Sequence, residues 1–399
     1  MLPHLLNKRY WLLGIGLLLL WVCMATILRE NLGSNVRLFN DEADRTDYFY
    51  RGSWLPLNKV PYRDVMSEYP QVPTFIFGIL YIPFLKQTDP AVAYSGYSAL
   101  FSFLMLCLLA CLMITLDRML PEKNKKLVFC LLLPAPLYFV YNRFDVLPSL
   151  IVVLALLLAG RQKWELAGIL LGIATLTKWY PALLVLPVMT YMVWKKVPLL
   201  RIGLFVVLFG ITCLVILAPT YFMGGIRALL DPYIYHGKRG FGLAAFPTLI
   251  EPMIRSLVPW ATENSLKIVF VLIQGSAIPF VFFAHLDTFE KLLSWCLLII
   301  STYILFSRIY SPQWMLWIFP LMILLVRDKI DLALVILYGT ITYIEFPLVI
   351  GLFGFQSDQM AWMGWINAIL LALIIIRVLR RLASLRDRGA GLTGTPVTV

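Results

Sequence analysis

Residues 11–28 read WLLGIGLLLLWVCMATIL, an apolar run without a charged side chain. A helix that crosses a bilayer needs about 20 predominantly apolar residues, and residues 149–160, SLIVVLALLLAG, form a shorter run of the same kind. Across the 399 residues, 60% are hydrophobic and 14% are charged. A soluble domain needs more polar surface than this composition supplies, so the sequence predicts an integral membrane protein.

The sequence has no series of alternating ten-residue segments typical of a transmembrane β-barrel. We therefore predict an all-α polytopic membrane protein, one domain over 1–399, with about 12 to 13 transmembrane helices. The predicted spans lie near 10–28, 92–116, 127–141, 145–160, 165–179, 181–194, 202–220, 265–284, 292–307, 313–326, 330–348 and 362–380. Residues 72–84 are interpreted as a short re-entrant helix, because a full span there would place the basic run at 122–126 outside.

The formal net charge is +12, but the basic residues are gathered into short clusters between apolar runs. This pattern follows the positive-inside rule and argues against nucleic acid as a partner. The basic clusters lie at 7–9, 122–126, 161–163, 195–196, 327–329 and 377–388. They predict that both termini are inside, with a cytoplasmic tail at 377–399, and that two long extracytoplasmic loops occupy 29–71 and 221–264.

The first long loop combines carboxylates with aromatic residues. A carboxylate partly shielded from water by aromatic walls can act as a general base, and aromatic faces pack against sugar rings. A solvated acidic loop that caps helices is the alternative. The carboxylates are Asp41, Glu42, Asp44, Asp47, Asp64 and Glu68, and the aromatic residues include Tyr48, Tyr62 and Tyr69.

The second long loop contains DPYIYHGKRGFG at 231–242. Lys238 and Arg239 lie among glycines, so a phosphate could approach both the cations and the backbone closely. His236 suggests a proton shuttle. A solvated basic turn with a hydrogen-bonding histidine explains the same residues without a ligand.

Three predicted outer corners carry further polar residues. Lys178 ends one span, where it either faces lipid headgroups or serves a site. Arg308, Ser311 and Gln313 surround Pro312; a helix cap explains Ser311 but neither Arg308 nor Gln313. YNRFD at 141–145 places Asn142, Arg143 and Asp145 inside an apolar region, where ionisable residues are costly, either as a structural ion pair or as part of a site.

Motifs for nucleotide binding and for zinc are missing from the sequence, and the six cysteines lie in apolar runs without metal-ligand spacing. The predicted inside loops are also too short to hold a nucleotide-sugar site. A lipid-linked sugar donor meets both constraints, because its phosphate activates the sugar and its tail anchors it in the membrane.

Six stretches, in order along the chain, resemble the polyprenyl-phosphate-sugar-dependent mannosyltransferases of glycosyltransferase family 87, which have the GT-C fold. They are ADRTDYFYRG (43–52), PYRDVMSEYPQVP (61–73), YNRFDVLPSL (141–150), AGILLGIATLTKWYPALLVLP (167–187), YHGKRG (235–240) and YSPQWMLWIFP (310–320). This chain has EYPQVP where the family usually has EYPP, and FGLAAFPT where a Glu-Ser pair often follows KRG.

The resemblance implies a GT-C-type fold and transfer of a hexose, expected to be mannose, from a polyprenyl-phosphate sugar to a glycolipid or glycan acceptor, with inversion to an α linkage. It implies Asp44 as the catalytic base, with Asp47 as the second candidate. It places the reaction on the extracytoplasmic face of a bacterial cytoplasmic membrane, within the cell envelope.

The substrate-binding residues expected from these patterns and from the resemblance are Tyr62, Glu68, Tyr69, Asn142, Arg143, Asp145, Lys178, Tyr235, His236, Lys238, Arg239, Arg308, Ser311 and Gln313. No cofactor or metal is expected, although the cluster from Asp41 to Asp47 could hold a cation. A membrane transporter or lipid flippase of the cell-envelope glycan pathway is the alternative function, but charges gathered at one face and the lack of internal repeats favour the transferase.

Overall fold

The computed structural model describes residues 38–54, 56–242, 244–354 and 356–391, with side chains up to residue 385. The predicted span at 10–28, the basic cluster at 7–9, the start of the first long loop and the end of the tail lie outside the described residues. Within them the chain is almost entirely helical, and its only β pairing is an isolated bridge between Pro61 and Val65. The prediction of an all-α polytopic membrane protein is confirmed.

Fourteen principal helices are described, and we number them in chain order. They are α1 (Glu42–Gly52), α2 (Gln71–Tyr81), α3 (Pro90–Met119), α4 (Pro134–Asn142), α5 (Val146–Gly160), α6 (Trp164–Thr175), α7 (Val185–Trp194), α8 (Leu199–Lys238), α9 (Phe246–Leu257), α10 (Glu263–Gly275), α11 (Phe289–Leu305), α12 (Met315–Leu324), α13 (Lys329–Tyr343) and α14 (Asp358–Gly391). Short 3₁₀, π and α turns extend or join several of them.

Five helical segments of the described chain are long and apolar enough to cross a membrane. They are Pro90–Met119, Leu199–Lys238, Glu263–Phe283, Lys329–Phe353 and Asp358–Leu385. A sixth span forms if α4 and α5, which meet at an angle of 109°, count as one. Most of the other predicted spans correspond to shorter apolar helices, so the described part of the chain has five or six helices of membrane length where about 12 to 13 transmembrane helices were expected.

The predicted span at 127–141 is wrong as a single helix. Residues Glu122–Leu132 form a 3₁₀ helix, and α4 starts separately at Pro134. Proline lacks a backbone N–H and is tolerated in the first turn of a helix but not in its interior. The apolar run is therefore divided at this proline.

The segment 221–264, expected to be a loop, is largely helical. Helix α8 extends to Lys238, with a break at Gly225, whose φ of +70° is a left-handed conformation available to glycine at little cost. Helix α9 follows within the same segment. The last turns of α8 place His236 beside the first long loop.

Close helix packing orders the remainder of the bundle. A Cβ atom at Gly168 of α6 would lie 2.6 Å from the carbonyl oxygen of Phe205 in α8, so only glycine permits this approach. Small residues serve the same purpose at helix interfaces in membranes generally. Gly52 lets the end of α1 approach α2 in the same way, which fixes α1 against the bundle.

Candidate active site

One cavity of about 810 Å³ lies where the first long loop, the α4–α5 bend, the end of α8 and the segment after α11 meet. Ten of the sixteen predicted site residues line it: Asp44, Glu68, Tyr69, Arg143, Lys178, His236, Arg239, Arg308, Ser311 and Gln313. Residues separated by more than 200 positions in the sequence are thus brought to one space. The remaining six predicted residues, Asp47, Tyr62, Asn142, Asp145, Tyr235 and Lys238, do not line it.

Arg143 organises the side of the cavity that carries the carboxylates. Its guanidinium lies 2.5 Å from a carboxylate oxygen of Asp41 and 2.5 Å from one of Asp44, and it donates to Gln313 Oε1 at 3.0 Å. Its side chain is only 5% exposed. A buried guanidinium needs such partners to offset the loss of water, so Arg143 fixes both carboxylates relative to the cavity.

Asp44 belongs to the first turn of α1 and keeps 32% of its side chain exposed. Burial of the remainder raises the pKa of its carboxyl group, while Arg143 opposes the shift. A carboxylate of raised pKa that still faces a cavity is a better proton acceptor than one free in water. The geometry therefore suits a general base.

Asp47 lies one turn further along α1 and is absent from the cavity lining. Its carboxylate forms an ion pair with Arg51 at 2.5 Å, and 41% of its side chain is exposed. This is a pair between residues i and i+4 on a helix surface. Of the two candidate bases, the structure places Asp44 at the cavity and Asp47 outside it.

Asn142 holds the segment that leads into α1. Its Oδ1 accepts from the backbone N–H of Asp41 at 2.9 Å, and its Nδ2 donates to the carbonyl oxygens of Phe39 and Tyr138 at 2.8 and 2.9 Å. The side chain is fully buried. Asn142 therefore acts on the position of Asp41 and α1, and it does not contact the cavity.

Asp145 lies behind Lys178. One carboxylate oxygen is 3.4 Å from Lys178 Nζ and accepts from Trp317 Nε1 at 2.9 Å, and the residue is fully buried. Lys178 Nζ also lies over the rings of Phe144 and Tyr69, at 4.6 and 5.1 Å from their centres. Asp145 thus fixes the cation that faces the cavity.

Further cations line the side of the cavity formed by the end of α8. Arg239 lies 3.4 Å from the carboxylate of Glu68, and Arg308 donates at 3.4 Å to the carbonyl oxygens of Arg239 and His236. His236 Nε2 is 2.9 Å from the carbonyl oxygen of Glu68. Among the described residues Arg308 has no carboxylate partner, so its charge is available to an anion.

Three other predicted residues have surroundings that explain their absence from the cavity. Tyr62 is buried and donates to Tyr69 O and Thr74 Oγ1, Lys238 is exposed, and Tyr235 packs beside Arg239. Tyr62 contributes to the position of Tyr69, which does line the cavity.

The lining also includes residues outside the predicted set. The Trp317 ring stacks on the rings of Tyr180 and Trp314, with centroid distances of 4.4 and 4.7 Å. Asp41 and Phe346 flank Arg143. Asp41 stood in the acidic loop of the sequence and could have been included. Phe346 carries no local signal, because its role depends on a contact more than 200 residues away in the chain.

The cavity reaches a helix of membrane-spanning length. Val271 and Gln274 of α10 line it, and Val271 is 51% exposed. Ile268 and Leu272, on either side of Val271, are 62% and 68% exposed. Exposed apolar side chains on a helix of this length are typical of a lipid-facing surface, and the cavity adjoins this surface at Val271.

No group of three or more His, Cys, Asp or Glu side chains within the described ranges is arranged to hold a metal ion. In the acidic cluster considered for a cation, Asp41 and Asp44 are both bound to Arg143, and Asp47 is bound to Arg51.

A comparison with protein families gives one match, between residues 73–248 and the family described as glycosyltransferase family 87. The matched stretch contains Arg143, Lys178 and Arg239, whereas Asp44 and Arg308 lie outside it. No curated protein matches the chain significantly. The match covers less than half of the chain; over residues 73–248 the chain is similar to glycosyltransferase family 87, and this similarity supports a glycosyltransferase.

Proposed function

We propose that the protein transfers a hexose from a polyprenyl-phosphate sugar to a hydroxyl group of a glycolipid or glycan acceptor. The observation that carries the proposal is the composition of the cavity of about 810 Å³, which is lined by a partly exposed carboxylate, Asp44, and by the cations Lys178, Arg239 and Arg308. A base and an anion site in one cavity are what direct sugar transfer from a phosphate leaving group requires.

The contact between the cavity and α10 supports a donor with a lipid tail. A polyprenyl chain could remain among lipids beside Val271 while its phosphate enters the cavity. A soluble sugar donor would gain nothing from this opening. Mannose is the sugar expected from the sequence resemblance, and the extracytoplasmic face of a bacterial cytoplasmic membrane is the expected location.

In the proposed reaction Asp44 accepts the proton of the acceptor hydroxyl. The acceptor oxygen forms a bond to the anomeric carbon as the bond from that carbon to the phosphate oxygen breaks, and polyprenyl phosphate leaves with the bonding electrons. Attack from the face opposite the phosphate inverts the anomeric configuration. Lys178, Arg239 and Arg308 stabilise the negative charge that develops on the leaving phosphate.

Arg143 has a supporting role in this mechanism. When Asp44 takes up the proton its charge is lost, but Asp41 remains 2.5 Å from the same guanidinium. Arg143 therefore keeps a carboxylate partner throughout the reaction, and the buried cation is never left without compensation.

The test uses the purified protein in vesicles with a radiolabelled polyprenyl-phosphate mannose and a panel of glycolipid and glycan acceptors. Formation of a labelled α-linked product by the wild type, and its loss in Asp44→Asn, is the expected result. Absence of transfer from any such donor, combined with movement of a lipid or solute across the vesicle membrane, would replace the proposal with the transporter alternative.

A further inference from the structure

Glu345 is a buried carboxyl group that the proposed mechanism does not use. It lies in the membrane-length segment Lys329–Phe353 and is fully buried. The next residue, Phe346, breaks the helix with φ −136° and ψ 114°. Ionisable residues within spans are costly and commonly mark functional positions, so this carboxyl group requires a physical explanation.

The carboxyl group joins three parts of the bundle. Tyr310, in the segment after α11, donates its hydroxyl to Glu345 Oε2 at 3.4 Å, and Asn367 of α14 donates Nδ2 to the same oxygen at 2.5 Å. No basic side chain of the described residues forms an ion pair with Glu345, and its Oε1 has no hydrogen-bond partner among them. Glu345 therefore acts as a hydrogen-bond acceptor that ties the broken helix to its two neighbours.

The residues that it holds form one wall of the cavity. Tyr310, Phe346 and Pro347 line the cavity, whereas Glu345 itself lies behind them. The Phe346 ring is 5.7 Å from that of Tyr138 and 6.0 Å from that of Phe139. Tyr138 and Phe139 are fully buried behind Phe346, whereas Tyr310 and Phe346 are partly exposed. We call Tyr310 and Phe346 the aromatic wall.

The aromatic wall differs chemically from the side that carries Lys178, Arg239 and Arg308. Arg143 lies 5.8 Å over the Phe346 ring, and its guanidinium is already bound to Asp41 and Asp44. A phosphate would therefore bind at the other side. An uncharged sugar ring suits aromatic faces, and a sugar on Phe346 would lie beside the guanidinium that holds the base.

We propose that the aromatic wall is the subsite for the uncharged sugar ring of the acceptor, and that Glu345 is its positioning residue. Glu345 acts through Tyr310 and the break at Phe346 and does not touch the substrate. This inference rests on the proposed function for the identity of the sugar as acceptor, but the binding of an uncharged sugar to the wall can be measured without any turnover.

The experiment measures binding to the purified full-length protein by tryptophan fluorescence, with two probes. Octyl α-mannoside, below its micelle-forming concentration, represents the uncharged sugar, and farnesyl phosphate represents the anionic lipid. Glu345→Ala is expected to weaken octyl mannoside binding about tenfold while changing farnesyl phosphate binding less than about twofold. Glu345→Gln, which keeps an accepting oxygen, is expected to bind both probes like the wild type.

Two further variants keep the result interpretable. Tyr310→Phe removes only one hydroxyl and is expected to weaken octyl mannoside binding about threefold, which tests the wall even if Glu345→Ala does not fold. Glu263→Gln removes a carboxylate at the exposed start of α10 and is expected to leave both probes unaffected.

Three outcomes would overturn the inference: no octyl mannoside binding by the wild type, equal loss of both probes in Glu345→Ala, or unchanged mannoside binding in Tyr310→Phe. Weak mannoside binding by Glu345→Gln would overturn the accepting role of Glu345. Failure of the proposed function is seen separately, as absence of sugar transfer by a wild-type protein that still binds both probes.

Discussion

Charged side chains gather at both ends of the helix bundle, but they are arranged in opposite ways. At the cavity end, Asp44, Lys178, Arg239 and Arg308 face a space of about 810 Å³. At the other end of α11 and α13, an ionic network links three cations to three carboxylates. Three of its members line a pocket of about 30 Å³, and two others line one of about 510 Å³. The network consists of Glu290, Arg327, Asp328, Asp331, Arg377 and Arg381.

The ionic network satisfies its members with one another. Arg377 contacts both Asp328 and Asp331, and Arg381 lies 2.7 Å from Asp331 and 3.8 Å from Glu290. These contacts tie the starts of α11 and α13 to α14. At the cavity end, the hydrogen bonds that Arg308 forms with described residues go to backbone carbonyls. Asp44, Lys178 and Arg239 are paired as well, but each also lines the cavity. Pairing therefore occurs at both ends, and what distinguishes the cavity end is that its charged groups share one space large enough for a ligand.

The largest effect expected at the cavity end is that of Asp44→Asn. An amide cannot accept the acceptor proton, so we expect kcat for sugar transfer to fall by about 10²- to 10⁴-fold, with little change in melting temperature. Asp47→Asn is the matched control, because Asp47 pairs with Arg51 away from the cavity, and it should stay within about threefold of wild type. Wild-type activity in Asp44→Asn would contradict the assignment of the base.

At the opposite end the expected loss is one of stability. Arg381→Met removes a cation whose side chain is 8% exposed and leaves Asp331 partly uncompensated. We expect a decrease in the free energy of unfolding of about 3 kcal/mol, the lower end of the range for breaking a buried ion pair. Denaturant unfolding in detergent measures it, and kcat per folded molecule should be unchanged. A large fall in kcat without loss of stability would show that the ionic network takes part in the reaction.

Arg308→Gln tests the cation that has no carboxylate partner among the described residues. Because no ion pair is broken, we expect little destabilisation, but kcat/KM for the polyprenyl-phosphate donor should fall by about 10- to 10²-fold as stabilisation of the leaving phosphate is lost. The control is Lys238→Gln, an exposed cation of the same basic run that lies outside the cavity lining. If both variants lost activity equally, general attraction of the anionic donor would be the explanation.

The smallest expected effect is the position of the acid limb of the pH profile. Burial raises the pKa of Asp44, and the base acts only when deprotonated. Activity should therefore be lost as pH falls through this raised pKa, at a higher pH than for a carboxyl group exposed to water. Measurement of kcat/KM against pH tests this, and in Arg381→Met the limb should not move. A limb at the position of an ordinary carboxyl group would show that Asp44 is not shielded in the working enzyme.

The fold class followed from composition and apolar runs, but the lengths of the helices did not. Hydropathy does not distinguish a continuous helix from the separate elements that form around Pro134, or a loop from the extension of α8 past Gly225. Both depend on local backbone conformation and on neighbouring helices. The predicted spans therefore fall mostly on helical segments, but the first and last residues of several helices differ from those predicted.

The sequence by itself determined that this is an all-α membrane protein. It also identified candidate site residues, because ionisable side chains near apolar spans are costly and commonly mark functional positions. These residues are Asp44, Arg143, Lys178, Arg239 and Arg308. Only the tertiary structure separated Asp44 from Asp47, placed Asn142 and Asp145 behind the cavity and brought Phe346 beside Arg143. The physical reason is that residue type sets which interactions a side chain can make, whereas the packing of distant helices sets which partners it meets.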